Sequence, residues 1–175
     1  MSYKKYIKEV IDFPKEGISF KDISPLLANE GVFKSVIRDM GSRVRIPDYW
    51  VGIDARGFIF ASALSMYYGG GLVLCRKKHK LPYPKNWQSF NIEYGTRTLE
   101  MRDGEGEVVI VDDVLATGGT LQATNWLAEK SGYDVVGNVV LIDLKYVKRD
   151  SIFSLDNVRS LVSYEWRIRS IKRVR

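Results

Sequence analysis

Two adjacent carboxylates, Asp112 and Asp113, stand just before a glycine- and threonine-rich stretch at residues 116–120, which reads A-T-G-G-T. Glycines let backbone N–H groups turn towards a ligand, and the start of a helix adds unpaired N–H donors for an anion. The two carboxylates would suit the hydroxyls of a ribose, or stabilise positive charge that develops on a sugar ring. These residues therefore predict a phosphate cradle beside a sugar site. A plain strand-to-helix turn with two solvated acids is the alternative interpretation.

Basic side chains that could bind a second phosphate group occur in two other stretches. Arg56, with Gly57 beside it, follows a predicted strand and offers a guanidinium fork. Four of the five residues at 76–80 are basic, and this run could bind a pyrophosphate and then release it. For Arg56, the alternative interpretation is a salt bridge to Asp54. For residues 76–80, it is a solvated charged loop.

Apolar strands that alternate with helices must position these groups. The β-branched run at residues 108–111 is typical of a strand buried on both faces. Further strands are predicted at residues 49–53, 71–76, 92–101, 134–143 and 158–164, and helices at 2–11, 29–45, 58–68 and 119–131. The alternation indicates βαβ units and a mostly parallel sheet, in which ligands bind beyond the carboxyl ends of the strands. Residues 77–91, which are basic and contain two prolines, are predicted to be an irregular lid or arm.

Composition narrows the class of protein. The chain has 175 residues, of which 45% are hydrophobic and 27% charged, and this favours one soluble domain. A single cysteine and a single histidine exclude an internal disulfide and argue against a structural zinc site. The uncharged stretch at residues 58–75 is interpreted as a buried helix, a turn and a strand rather than a membrane span. We expect a cytoplasmic protein without a leader and without a membrane partner.

The net charge of +6 is concentrated at the carboxyl end. Residues 166–175 contain five basic side chains and no acidic one, so they form a basic tail. Such a tail can attract nucleic acid, but it is more often a solvated end or part of a subunit contact. The second interpretation is favoured here.

The stretch at residues 108–120, V-V-I-V-D-D-V-L-A-T-G-G-T, resembles the signature of type I phosphoribosyltransferases, which bind phosphoribosyl pyrophosphate. Three further segments resemble the adenine phosphoribosyltransferase family. Residues 12–27 are similar to its N-terminal hood and residues 52–58 to its pyrophosphate loop. Residues 76–82, with Glu93-Tyr94-Gly95 after them, are similar to its mobile catalytic loop. The resemblance spans about residues 10–165.

The resemblance implies an α/β fold with a doubly wound, mostly parallel sheet and a small N-terminal hood, mainly residues 1–30. It places one phosphoribosyltransferase domain at residues 1–165, followed by the basic tail. It further implies a purine-salvage glycosyltransferase that converts adenine and phosphoribosyl pyrophosphate into AMP and pyrophosphate. Members of the family use Mg²⁺, bound mainly through the substrate, and are usually homodimers.

The resemblance also assigns roles to individual residues. The assigned residues are Ala116, Thr117, Gly118, Gly119 and Thr120 for the 5′-phosphate; Asp112 and Asp113 for the ribose hydroxyls; Ala55, Arg56, Arg76 and Lys80 for pyrophosphate; Ser19, Phe20 and Lys21 for adenine; and Glu93 and Tyr94 for proton transfer and loop closure.

Some positions depart from the family pattern, and two rival functions follow. Lys21 stands where the family often has arginine, Ala55 where it often has serine, and His79 and Tyr83 where it has small residues.

One rival function is the same reaction on another 6-substituted purine. The other is a regulator that senses phosphoribosyl pyrophosphate and binds nucleic acid through its basic tail. A pure sensor has no need of a proton-transfer residue such as Glu93.

Overall fold

The computed structural model describes residues 2–82, 86–92, 95–149, 154 and 156–165, except for the side chains at 90–92 and 95–97. A 3-10 helix, Tyr3–Tyr6, opens the chain. The helices are α1 (Ser24–Leu27), α2 (Glu30–Gly41), α3 (Gly57–Tyr68) and α4 (Gly119–Lys130). The strands are β1 (Lys8–Ile11), β2 (Ser19–Asp22), β3 (Tyr49–Ile53), β4 (Gly71–Lys77), β5 (Asn86–Ile92), β6 (Gly95–Met101), β7 (Gly106–Leu115), β8 (Tyr133–Leu144) and β9 (Val158–Tyr164).

A seven-stranded sheet in the order β5-β6-β4-β3-β7-β8-β9 forms the centre of the fold. The pairs β3–β4, β3–β7, β7–β8 and β8–β9 are parallel, while β6 runs antiparallel to both β4 and β5. The strands β1 and β2 form a separate antiparallel hairpin, which we call the hood hairpin. The prediction of an α/β fold with a mostly parallel sheet is confirmed.

Helices cover both faces of the sheet, as a doubly wound fold requires. Along β3, Trp50 packs with α2 and α3 on one face, whereas Val51 packs with α4 on the other. Successive side chains of a strand point to opposite faces, so both neighbours are buried only when both faces are covered. The β-branched run at residues 108–111 is likewise fully buried, as its composition predicts.

The helix predicted at residues 29–45 begins one residue later and ends earlier, at Gly41. The side chain of Asn29 caps it by accepting a hydrogen bond from the Val32 amide at 3.1 Å. Gly41 allows close packing, because a Cβ atom there would lie 2.1 Å from the Tyr68 ring. Helix α3 therefore lies directly against the end of α2.

Two local predictions are wrong. Residues 2–11 do not form one helix, because only Tyr3–Tyr6 is helical and Lys8–Ile11 pairs with β2. Residues 77–91 are not wholly irregular, because Asn86–Ile92 pairs in register with β6. The stretch at residues 58–75 does form a helix, a turn and a strand, with Gly69 and Gly70 at positive φ in the turn. In the described part of the chain, no helix has the length and apolar character needed to cross a membrane.

Candidate active site

The loops that follow β3 and β7 meet at the carboxyl edge of the sheet, because these two strands are parallel neighbours. The loop after β3 contains Ala55 and Arg56 and leads into α3 at Gly57. A Cβ atom on Gly57 would lie 2.6 Å from the Val111 carbonyl oxygen and 3.2 Å from Asp112 Oδ1. Glycine at this position therefore brings the loop against the acidic end of β7, as close backbone approach requires.

The side chain of Arg56 joins three parts of the candidate site. Its Nε lies 2.9 Å from Asp113 Oδ2. Its guanidinium carbon lies 4.8 Å from the centroid of the Phe20 ring, and Nη1 donates a hydrogen bond to the Lys21 carbonyl at 3.4 Å. The carboxylate that pairs with Arg56 is therefore Asp113, not Asp54 as the alternative interpretation had it.

The two acids at the end of β7 are electrostatically coupled. Asp113 donates its backbone N–H to Asp112 Oδ1 at 2.9 Å, and the Asp113 residue is only 4% exposed. Burial, and then the neighbouring Asp113 carboxylate, raise the pKa of Asp112 well above its ordinary value. Burial also raises the pKa of Asp113, while the Arg56 guanidinium opposes that rise. A cationic group placed between the two acids would therefore be strongly favoured.

The glycine- and threonine-rich stretch after β7 forms a turn into α4. Gly118 has a φ of 96°, and the Gly119 amide donates to Thr117 Oγ1 at 3.4 Å. A cleft opens beside this turn. Its walls are formed by Asp112, Val114, Leu115, Ala116, Thr117, Gly118, Thr120, Leu121 and Val140. The structure thus brings one of the two acids and most of residues 116–120 into a single cleft.

The basic run at residues 76–80, which we call the cationic turn, lies at the end of β4. Arg76 Nε lies 3.6 Å from Asp54 Oδ2, and Lys77 Nζ lies 3.9 Å from Asp54 Oδ1. Lys80 is exposed. His79 adopts a φ of 63°, which is unusual for a residue other than glycine and turns the chain sharply. Asp54 therefore links the loop that carries Arg56 to the cationic turn.

The hood hairpin brings Phe20 to the site and turns the Lys21 side chain away from it. The Phe20 ring meets Phe13 edge-on at a centroid distance of 5.2 Å. Lys21, which is only 3% exposed, donates to Glu9 Oε1 at 2.6 Å and to Ser19 Oγ at 2.9 Å. The Lys21 ammonium therefore points away from Arg56, towards Glu9 and the Tyr164 ring, whose centroid is 4.6 Å away. Its backbone carbonyl is what contacts Arg56.

The proposed proton-transfer and loop-closing residues, Glu93 and Tyr94, lie outside the described residues, as do Tyr83 and the basic tail. Two further charged groups escaped the sequence-based reasoning. Glu100 in β6 is a carboxylate with 4% exposure that accepts a hydrogen bond from the His79 amide at 2.9 Å. Arg149 pairs with Asp143 and donates to the Leu115 carbonyl at 3.3 Å.

The local sequence identifies neither group. Glu100 alternates with Leu99 and Met101, as a solvent-facing residue of a strand does, so the pattern does not indicate that it is buried. Arg149 follows β8 by several residues, and nothing local identifies its partners.

Comparison with known proteins agrees with this geometry. The family model for the phosphoribosyl transferase domain matches residues 23–170. The adenine phosphoribosyltransferases of Mycoplasmopsis synoviae and Bdellovibrio bacteriovorus are each 43% identical, over 94% of this chain and 100% of theirs. The crystal structure of adenine phosphoribosyltransferase from Rhodothermus marinus has 38% identity and a TM-score of 0.83, covering 92% of this chain and 96% of that one. The chain belongs to the phosphoribosyl transferase domain family and, within it, to the adenine phosphoribosyltransferases.

Proposed function

We propose that this protein transfers the 5-phosphoribosyl group of phosphoribosyl pyrophosphate to adenine, which yields AMP and pyrophosphate in purine salvage. The position of Arg56 carries the proposal. This one side chain contacts Asp113 on the sugar side and the Phe20 ring on the base side. A reaction that joins a base to a ribose requires these two subsites to be adjacent, because the new bond links them directly.

The turn at residues 116–120 is proposed to hold the 5′-phosphate. Its backbone amides at the start of α4 and the hydroxyls of Thr117 and Thr120 supply neutral donors, and the helix dipole favours the anion. Asp112 lines the same cleft. A sugar whose 5′-phosphate lies in this turn would therefore present its hydroxyls to Asp112 and Asp113.

In the proposed reaction, the bond from C1′ to pyrophosphate breaks, and its electron pair stays on the leaving oxygen. The adenine nitrogen donates its lone pair to C1′, and the purine proton passes to Glu93. Positive charge develops on the sugar ring between these events, close to the two acids of β7. Arg56, Arg76 and Lys80, with the backbone at Ala55, would stabilise the charge that grows on the leaving pyrophosphate.

The hood hairpin is proposed to select the base. Phe20 would stack on adenine, while the backbone near Ser19 would contact the polar edge of the purine. The Lys21 side chain, which is paired with Glu9 inside the hairpin, would act by holding Ser19 in place. Tyr94 would help the loop to close over the bound substrates and exclude water.

Mg²⁺ is the proposed cofactor, bound mainly through the substrate. The hard oxygen donors of phosphoribosyl pyrophosphate suit this ion, and so do the carboxylates of Asp112 and Asp113 beside the cleft. In the described residues, no group of three or more acid, histidine or cysteine side chains could hold a metal by itself. When bound, the ion would neutralise charge on the pyrophosphate.

A homodimer in the cytoplasm is also proposed, and α3 supports the dimer. This helix carries apolar side chains on its outer face as well as on its buried face. Met66 is 87% exposed, Tyr67 56% and Ile59 40%. Exposed apolar groups on one helix are typical of a surface that a second copy covers. Sedimentation of Met66→Lys should show a shift from dimer to monomer, whereas a wild-type monomer would contradict the proposal.

A direct assay tests the function. The protein, Mg²⁺ and phosphoribosyl pyrophosphate are incubated with adenine, hypoxanthine or guanine in separate reactions, and nucleotide and pyrophosphate are measured. We expect AMP and pyrophosphate in equal amounts with adenine only. No product with any base would contradict the transferase function. Product with hypoxanthine or guanine alone would contradict the choice of adenine.

A further inference from the structure

Glu100 is a buried carboxylate at the base of the cationic turn. Its Oε1 accepts a hydrogen bond from the backbone N–H of His79 at 2.9 Å. Its Oε2 is buried and has no hydrogen-bond partner among the described residues. Its sequence neighbours Leu99 and Met101 are both buried and apolar.

This arrangement is unfavourable for folding. A buried carboxylate oxygen without a hydrogen bond carries a desolvation cost that an apolar side chain would avoid. Leu99 and Met101 point to the opposite face of β6, so their packing does not require an acid between them. Since stability does not explain the acid, its contact with the cationic turn is the feature that requires it.

The contact fixes the backbone of the cationic turn. Beyond the β4–β6 ladder, two hydrogen bonds join the turn to β6. The Lys78 amide donates to the Thr98 carbonyl at 3.0 Å, and the His79 amide donates to Glu100. The positive φ of His79 lies between the two basic residues assigned to pyrophosphate, Arg76 and Lys80. A hydrogen bond at this residue therefore controls the direction in which the following basic residue leaves the turn.

Arg76 lies beside Glu100 on the neighbouring strand β4. Arg76 and Glu100 are directly opposite each other in the β4–β6 ladder. Side chains at such paired positions stand on the same face of the sheet, with Cβ atoms about 5 Å apart. Arg76 Nε, like Glu100 Oε2, is buried and has no hydrogen-bond partner among the residues that the structure describes.

We propose that Glu100 is a positioning residue for the pyrophosphate end of the site. By accepting the His79 N–H, it holds the cationic turn so that Arg76 and Lys80 face the leaving group. The inference rests on the proposed function, since that function assigns pyrophosphate to these two cations. A displacement of the turn would weaken pyrophosphate binding and leave adenine binding unchanged, because the hood hairpin is a separate element.

Two variants separate the hydrogen bond from the charge. Glu100→Gln keeps an oxygen acceptor at the same reach and removes the charge. Glu100→Asp keeps the charge but is shorter by one carbon, about 1.5 Å, so it no longer reaches the His79 amide. We expect Glu100→Asp to raise the KM for phosphoribosyl pyrophosphate, and for pyrophosphate in the reverse reaction, by on the order of tenfold. We expect Glu100→Gln to stay close to wild type, with the KM for adenine unchanged in both.

Glu105→Ala is the matched control, because it removes an exposed acid from the turn that follows β6. Thermal melting of each variant shows that the proteins are folded. Equal KM values for Glu100→Asp and wild type would overturn the inference. A Glu100→Gln variant as impaired as Glu100→Asp would overturn it as well, since the acceptor would then not be what matters. If wild type makes no AMP, the proposed function fails, and calorimetric binding of pyrophosphate with Mg²⁺ to the same variants still decides the role of Glu100.

Discussion

The pair formed by Arg56 and Asp113 gives a prediction in which stability and pH are linked. At the observed N–O distance of 2.9 Å, Coulomb attraction has a ceiling of about 6 kcal/mol for an effective dielectric constant of about 20. The Arg56 side chain is 37% exposed, so solvent screens the pair. We therefore expect a coupling free energy of about 1–3 kcal/mol at neutral pH.

Replacement of Arg56 by methionine removes the group that opposes the raised pKa of Asp113. The pKa of Asp113 in the folded protein then rises further above its pKa in the unfolded chain. Between these two values the folded protein holds a proton that the unfolded chain has released, so stability falls as pH rises. The loss should be small near pH 3, where Asp113 is mostly protonated in both states, and should grow to its full size above the folded pKa.

Urea unfolding of wild type, Arg56→Met, Asp113→Asn and the double variant measures this effect. The coupling is obtained from the double-mutant cycle at about pH 3 and about pH 7. Arg45→Met is the matched control, because Arg45 pairs with Glu107 at the same 2.9 Å but is 71% exposed. The loss of stability in Arg45→Met should stay below about 1 kcal/mol. A coupling near zero at neutral pH, or a loss in Arg56→Met that does not change with pH, would refute the reasoning.

Two further substitutions test the packing of the site. Gly57→Ala places a Cβ atom 2.6 Å from the Val111 carbonyl, so we expect a loss of about 1–3 kcal/mol in unfolding experiments and a weaker transferase activity. An unchanged melting temperature would show that the loop can move away. Lys21→Met removes a buried ammonium whose partner Glu9 is 52% exposed and can be solvated. The stability of Lys21→Met should differ from that of wild type by less than about 1 kcal/mol. Its KM for adenine should rise, while its KM for phosphoribosyl pyrophosphate should not. An unchanged KM for adenine would contradict a role for Lys21 in the hood hairpin.

The core of the fold was predictable because its signals are local. The β-branched run at residues 108–111 reports burial on both faces, and alternation with helices reports parallel connections. Residues 2–11 were misassigned because β1 exists only through its pairing with β2, about ten residues later. The strand Asn86–Ile92 was missed because prolines lie just before it and its partner β6 lies beyond residues 93–94. Pairing between segments is a tertiary property that neither composition nor periodicity reports.

In the candidate site, too, local sequence signals predict some contacts, whereas others depend on how distant segments pack. The sequence places Arg56 and Asp113 at the ends of two strands, and it permits either Asp54 or Asp113 as the partner of Arg56. The choice depends on the order of the strands, because β3 and β7 are adjacent although about fifty residues separate them. The inward turn of Lys21 depends in the same way on Glu9, on the neighbouring strand of the hood hairpin.

The base and the sugar are recognised by distant parts of the chain, and Arg56 is the point at which they meet. Phe20 lies on the hood hairpin, whereas Asp113 lies at the end of a central strand. Arg56 contacts both, so a pyrophosphate that attracts its guanidinium must weaken its hold on Asp113 or on the Phe20 ring. Loss of the Asp113 contact would raise the pKa of that acid. Positive charge on the ribose would then take the place of Arg56 as the group that keeps Asp113 ionised, so leaving-group binding and stabilisation of the sugar are coupled through one side chain.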